Sequence, residues 1–109
     1  MNWEDYMLQT RRQLKALNKA IPGTTYAFGK LGEAVKEGDG LDFKTKEFIA
    51  LGIAIAERCE PCIGFHIEAL KNCDATREEL AGALAMAVHM GGGPSMMYAA
   101  KALDAWDQL

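Results

Sequence analysis

The sequence predicts an all-α fold, a single domain over residues 1–109 that contains six helices. Apolar residues recur three and four positions apart between regularly spaced breaks, which is the pattern of amphipathic helices. No segment alternates polar with β-branched residues, so nothing predicts a strand. The breaks between the predicted helices are Pro22-Gly23, Gly38-Asp39-Gly40, Cys59 to Cys62, Cys73-Asp74 and Gly91-Gly92-Gly93-Pro94.

An apolar stripe predicts the first helix, and a threonine cap predicts the second. The stripe consists of Trp3, Met7, Thr10, Leu14, Leu17 and Ile21. Thr24 or Thr25 can cap the second helix, which we expect to end at about Lys36. The residues of this helix that should face inward are Phe28, Leu31 and Val35.

The third helix is predicted to be the central one. Asp42 suits its N-cap position, and the helix should run to about Glu57. Residues 48–56 are apolar on every side, which is typical of a helix that is buried all round. The fourth helix should begin at the cysteine pair and end near Asn72.

The fifth helix has the clearest start in the chain. Thr76 as N-cap and Glu79 three residues later match the capping box, and three glycines stop this helix after Met90. Pro94 suits the first turn of a sixth helix that reaches about Trp106. Its inward face should consist of Met97, Ala100, Leu103 and Trp106.

Charge, cysteine count and length limit the partners and the cellular location that the protein can have. Twelve basic against fifteen acidic residues, with no basic run longer than Arg11-Arg12, predict no nucleic-acid or membrane partner. Three cysteines are too few for a disulfide scaffold and indicate a reducing compartment. The N-terminus lacks a signal-peptide pattern, and the longest apolar run has nine residues against the roughly 20 that cross a bilayer. We expect a cytoplasmic protein whose short chain gains burial from oligomer contacts.

The residues that carry chemistry concentrate between Cys59 and His66. Two cysteines three positions apart at the start of a helix can close a redox disulfide, and the helix N-terminus stabilises a thiolate. His66 lies one turn beyond Cys62 on the same helix face, where it can take the proton of that thiol. The spacing predicts Cys62 as nucleophile, His66 as base and Cys59 as the partner that closes the disulfide.

Glu47 stands at the edge of the apolar run, on the same stripe as Leu51 and Ile55. A carboxylate in that position needs a partner or stays protonated. If the third helix packs along the fourth, Glu47 can hydrogen-bond His66 and orient its ring, which completes a set of nucleophile, base and orienting acid. The alternative is an exposed first-turn acid that the helix dipole favours.

Metal and cofactor sites are the competing interpretations. Cys59, Cys62, His66 and Cys73 could supply four ligands of a structural zinc site, although Cys73 lies roughly 10 Å beyond His66 along the helix. Haem attachment is excluded because Ile63 follows the second cysteine where a histidine is required. The triple glycine lacks the lysine of a phosphate-binding loop. We therefore expect no cofactor.

The reactive residues belong to a longer pattern that covers residues 20–105. It consists of Glu47, Cys59-x-x-Cys62, His66, Ala75-Thr76-Arg77-Glu78-Glu79-Leu80 and Gly91-Gly92-Gly93-Pro94. This combination resembles the carboxymuconolactone decarboxylase superfamily, specifically its alkylhydroperoxidase D-like branch. The spacing of the glutamate, the cysteine pair and the histidine is the most specific part of the resemblance.

The resemblance implies an all-helical subunit that forms homotrimers or homohexamers and acts as a thiol-dependent peroxidase or disulfide oxidoreductase. It assigns attack on the hydroperoxide and formation of a sulfenic acid to Cys62. It assigns the roles of proton donor and resolving thiol to Cys59, and a proton relay to Glu47 and His66. The implied reductant is a dithiol, such as a dihydrolipoyl group or a thioredoxin-like protein.

Two positions depart from the family pattern. Pro61 stands where typical peroxidases of the family carry a second histidine, which favours a disulfide or peroxiredoxin partner as the alternative substrate. Asp74 stands where glycine is common, and aspartate can also adopt the left-handed conformation of a helix stop. The lactone decarboxylases of the superfamily share its fold but lack the cysteine pair, so its presence argues against decarboxylation.

Overall fold

The computed structural model describes all 109 residues as six helices without a strand. The helices are α1 (Trp3–Ala20), α2 (Pro22–Glu37), α3 (Phe43–Ala56), α4 (Glu60–Asn72), α5 (Arg77–Gly91) and α6 (Gly93–Gln108). The predicted all-α fold is confirmed, and every predicted helix is present. None of the six is both long enough and apolar enough to cross a membrane.

α3 lies at the centre of the bundle, as its composition predicts. It packs against α4, α5 and α6, and α4 packs in turn against α1 and α6. Burying a large apolar side chain contributes about 1.5–3 kcal/mol. The large side chains that are completely buried here are Trp3, Met7, Leu51, Ile55, Ile63, Ile67, Leu70 and Leu80. This core holds α3 alongside α4, the two helices that carry the predicted site.

Three helix ends follow rules that the sequence already displays. The Asp42 carboxylate accepts a hydrogen bond from the backbone N–H of Thr45 at 2.8 Å and begins α3. Thr76 and Glu79 form the predicted capping box of α5, with reciprocal bonds of 3.0 and 2.8 Å. Asp74 adopts a left-handed φ of 61° between α4 and α5, the conformation expected of it.

The predicted start and packing of α2 are wrong. The helix begins at Pro22 instead of after Thr24 or Thr25, because proline suits the first turn, where its missing N–H has no intrahelical partner in any case. α2 packs mainly against α1, so the side chains predicted to face inward stay open to solvent. Their exposed fractions are 75% for Phe28, 58% for Leu31 and 56% for Val35. The end of the α1 stripe is likewise exposed at Leu14, Leu17 and Ile21.

Two other helices bury different faces from the predicted ones. α3 is not buried all round, because Ile49 and Ile53 are half-exposed. In α6 the buried side chains are mostly small, since alanine lets two helices approach closely: Ala99, Ala102 and Ala105. The residues predicted to face inward are exposed at Met97 and Ala100 and half-buried at Leu103 and Trp106. Large apolar side chains therefore remain on the surface of a single chain.

Candidate active site

The two cysteines of the predicted redox pair are bonded at the start of α4. Cys59 is the N-cap residue, and Pro61 lies in the first turn. The Sγ atoms of Cys59 and Cys62 are 2.06 Å apart, and the Cα atoms are 5.2 Å apart. The first helical turn thus brings residues three positions apart within the Cα separation that a disulfide needs, about 4.4–6.8 Å.

Glu47 and His66 meet across the contact between α3 and α4. The distance from His66 Nδ1 to Glu47 Oε2 is 2.6 Å, and the Glu47 side chain is only 8% exposed. The predicted hydrogen bond is present, and the alternative of an exposed first-turn acid is wrong. An ionised carboxylate can only accept hydrogen bonds, so Nδ1–H of His66 donates to Glu47. In the neutral imidazole the other ring nitrogen, Nε2, is then the acceptor. The buried carboxylate thereby has the partner that burial requires.

The position of His66 follows from the packing of its helix. On α4, Ile63 lies three residues before His66 and Ile67 directly after it, and both are completely buried. On α3, Leu51 and Ile55 are buried on the stripe that also carries Glu47. The apolar contacts between α3 and α4 therefore set the separation of the carboxylate and the imidazole.

α1 approaches α4 closely at Gly64, between Cys62 and His66. A Cβ atom placed on Gly64 would overlap the Sδ and Cε atoms of Met7. Met7 is only 1% exposed and is enclosed by the core, so it has little room to move away. The absence of a side chain at Gly64 thus allows α1 to pack against the reactive turn of α4.

Gly64→Ala is expected to lower the free energy of unfolding by about 1–3 kcal/mol, because the added methyl group overpacks the core. The matched control is Gly82→Ala in α5, where nothing lies within 4 Å of an added Cβ atom. Alanine there should stabilise the helix by about 0.5–1 kcal/mol relative to glycine. Urea unfolding measures both variants, and equal shifts of the two midpoints would contradict the close contact at Gly64.

Two cavities open beside the histidine. The first, here called the cysteine cavity, has a volume of about 270 Å³ and is lined by Ala50, Ile53, Ala54, Glu57, Cys59, Cys62 and His66. The second, here called the α2 cavity, has a volume of about 260 Å³ and is lined by Phe28, Leu31, Gly32, Val35, Lys36, Lys46, Glu47, Ala50 and His66. Sequence reasoning missed Ala50, Ile53 and Ala54 as wall residues, because nothing distinguishes them within an apolar run.

One acidic residue beside the cysteine pair has a cationic partner on α6. Glu60, directly after Cys59, lies 3.9 Å from the ammonium group of Lys101 on α6. Partial burial, and to a smaller extent the charge of Glu60, raise the pKa of the Tyr6 phenol. The Tyr6 phenol is neutral at physiological pH, as an unshifted tyrosine also is.

The four residues considered as zinc ligands are not brought together. Cys73 is the C-cap of α4, at the opposite end of the helix from Cys59, and its Sγ atom donates to the carbonyl of Leu70 at 3.4 Å. No group of three or more His, Cys, Asp and Glu side chains is arranged to hold a metal ion. The four-ligand zinc interpretation is therefore wrong.

The fold and the site together define a class of protein, an all-helical domain with a CxxC disulfide at a helix start and a glutamate–histidine pair beside it. Residues 22–105 match the carboxymuconolactone decarboxylase family. The chain belongs to this family, as the spacing of its motif predicts.

Known structures and sequences are similar over nearly the whole chain. An apo carboxymuconolactone decarboxylase family protein from Legionella pneumophila is 44% identical, with a TM-score of 0.93 over 97% of this chain and 95% of the other. A structure from Thermotoga maritima is 28% identical, with a TM-score of 0.81 over 94% and 91% of the two chains. A further crystal structure of the Thermotoga protein is 30% identical, with a TM-score of 0.71 over 78% of this chain and 88% of the other. A role in the antioxidative response has been suggested for that protein. An uncharacterised protein of Cupriavidus necator is 39% identical over 94% of this chain and 91% of its own length.

Proposed function

We propose that this chain is a thiol-dependent peroxidase of the alkylhydroperoxidase D-like branch. One observation supports this function above the others: the Cys59–Cys62 pair and His66 line the same cavity, and buried Glu47 holds the histidine ring at 2.6 Å. This arrangement combines a nucleophile, a second thiol, a base and an orienting acid. The antioxidative role suggested for the Thermotoga relative agrees with it.

The reaction begins with the reduced pair. His66 takes the proton of Cys62, and the thiolate attacks one oxygen of the hydroperoxide, so that an S–O bond forms while the O–O bond breaks. The departing alkoxide takes a proton from Cys59 and leaves as the alcohol. The Cys59 thiolate then attacks the sulfenic sulfur of Cys62, the disulfide forms, and hydroxide leaves as water with the proton held by His66.

The disulfide must then be reduced by an external dithiol. One thiolate of the reductant attacks the Cys59–Cys62 bond, and its second thiol resolves the mixed disulfide, which restores both cysteines and oxidises the reductant. A dihydrolipoyl group or a thioredoxin-like protein has this chemistry. Both cysteines are half-buried and therefore remain reachable.

Mass spectrometry of the intact protein tests the proposed function. One equivalent of hydroperoxide should remove two hydrogens from the reduced protein, and peptide mapping should locate the new bond between Cys59 and Cys62. In a Cys59→Ser variant the same treatment should add one oxygen atom to Cys62, because the resolving thiol is absent. Oxidation that appears first on Cys73 would contradict the proposal.

A protein disulfide is the second candidate substrate, and Pro61 is the observation that favours it. The proline occupies the first turn of α4, where typical peroxidases of the family carry a second histidine. Reduced protein can be mixed with equal concentrations of a hydroperoxide and of a peptide disulfide. The peroxidase proposal predicts faster oxidation by the hydroperoxide, and the reverse order would favour the disulfide substrate.

We also infer that several copies of the chain associate, which agrees with the homotrimer or homohexamer that the resemblance implies. A groove of about 480 Å³ between α3 and α5 is lined by eight hydrophobic residues among ten. Its large exposed hydrophobic members are Ile49, Ile53, Met86 and Met90, at 49%, 57%, 59% and 77%. Apolar patches of this kind usually mark an interaction surface.

Met90→Glu is expected to shift the protein towards single chains, because burying an unpaired carboxylate in an interface is costly. Met90→Leu keeps the apolar contact and should preserve the assembly. Light scattering at micromolar concentration measures the mass of each variant. A wild-type protein that is monomeric under these conditions would refute the inferred association.

A further inference from the structure

The cysteine cavity and the α2 cavity adjoin at two shared wall residues, Ala50 and His66. His66 carries the proposed base, whereas Ala50 contributes only a methyl group. Ala50 lies on α3 almost one turn after Glu47, on the side of the helix that faces α4. A molecule that reaches the cysteines in the first cavity can therefore extend past Ala50 into the second.

The α2 cavity exists because α2 stands away from α3. α2 packs mainly against α1, and Lys46 on α3 ties down its far end by donating to the carbonyls of Val35 at 2.9 Å and Gly38 at 2.5 Å. The space between is walled by Phe28, Leu31 and Val35. These hydrogen bonds connect the end of α2 to α3, and the cavity wall on the α2 side is mostly apolar.

The size of the combined space points to a ligand larger than hydrogen peroxide. A water molecule occupies about 30 Å³ in the liquid, and a hydrogen peroxide molecule needs only a small multiple of that volume. The two cavities together reach the size of small-molecule sites, about 300–1,000 Å³. The cysteine cavity alone accommodates a peroxide group, so the α2 cavity is free for a second, apolar part of a substrate.

Building on the proposed peroxidase function, we propose that the α2 cavity binds the organic group of an apolar hydroperoxide and that Ala50 determines which organic groups pass. In this arrangement the O–O bond lies in the cysteine cavity near Cys62, and the carbon chain passes Ala50 towards Leu31. Apolar burial of that group contributes roughly 25 cal/mol per Å². Hydrogen peroxide gains nothing from it.

Ala50→Leu tests this assignment, with cumene hydroperoxide and hydrogen peroxide as the two substrates. The larger side chain fills the junction, so kcat/KM for cumene hydroperoxide should fall by about tenfold or more. This is the size of effect that one methylene group has on kcat/KM in an apolar pocket, about 10–200-fold. The value for hydrogen peroxide should fall much less, because hydrogen peroxide occupies only the cysteine cavity, where Ala50 is one of seven wall residues. The matched control is Ala81→Leu, the same substitution at an exposed residue of α5 that lines neither cavity.

Leu31→Ala provides a second variant that does not threaten folding, because Leu31 is 58% exposed. Removing part of the wall should raise KM for cumene hydroperoxide several-fold and leave its kcat nearly unchanged. Neither constant should change for hydrogen peroxide. Equal losses for both substrates in Ala50→Leu, or no loss for either, would overturn the subsite and leave the peroxidase function standing. A wild-type protein that consumes neither peroxide would overturn both.

Discussion

Replacing Cys62 by serine is expected to abolish consumption of hydroperoxide, because the substitution removes the thiol that His66 is proposed to activate. A hydroxyl in this position is not ionised near neutral pH and is a far weaker nucleophile than a thiolate. The remaining thiol of the pair, Cys59, is the N-cap of α4 and lies farther along the chain from His66. Peroxide consumption with excess dithiothreitol as reductant measures the effect.

Cys73→Ser is the matched control for this loss. Cys73 is a half-buried free cysteine at the opposite end of α4, and its thiol donates a hydrogen bond to the carbonyl of Leu70. Its removal should leave the rate of peroxide consumption unchanged. Substantial activity in Cys62→Ser, or loss of activity in Cys73→Ser, would place the nucleophile elsewhere.

His66→Ala is expected to lower kcat/KM for hydroperoxide by about 10²–10⁴-fold, the usual contribution of a positioned general base. The variant also leaves the Glu47 carboxylate buried without its partner, so its thermal unfolding must be measured alongside its activity. An external imidazole buffer should restore part of the rate, which a purely structural defect would not permit.

The chain offers a second histidine as the control. His89 is exposed near the end of α5 and touches neither cavity. His89→Ala should keep full activity and stability. An equal loss in both histidine variants, or failure of imidazole to restore any activity in His66→Ala, would remove His66 as the base.

Helix positions could be predicted from the sequence because local signals set them. Asp42, Thr76 and Asp74 mark helix boundaries through their own side-chain chemistry, and the structure places each as expected. Which face of a helix is buried depends on neighbours that are distant in sequence. α6 turns Ala102 inward and leaves Met97 outside, because close approach to its neighbours favours small side chains over large apolar ones.

The grouping of the candidate site residues could also be predicted from the sequence. Helical spacing places Cys59, Cys62 and His66 together without any knowledge of tertiary structure. The contact of Glu47 with His66 depended on the packing of α3 along α4, which could be stated from the sequence only as a condition. Ala50 could not be found in this way, because an alanine between two cavities has no distinguishing chemistry.

The proposed activation of Cys62 by His66 and Glu47 is tested most directly by the pH dependence of its alkylation. The protein carries Cys59→Ser and Cys73→Ser, so that iodoacetamide reacts with Cys62 alone. We expect a midpoint well below the value of about 8.5 for a free cysteine. Adding Glu47→Gln removes the carboxylate that stabilises the protonated histidine beside the thiolate, and should raise this midpoint by about one unit or more. The same midpoint with and without Glu47 would contradict the activation of Cys62 by this pair.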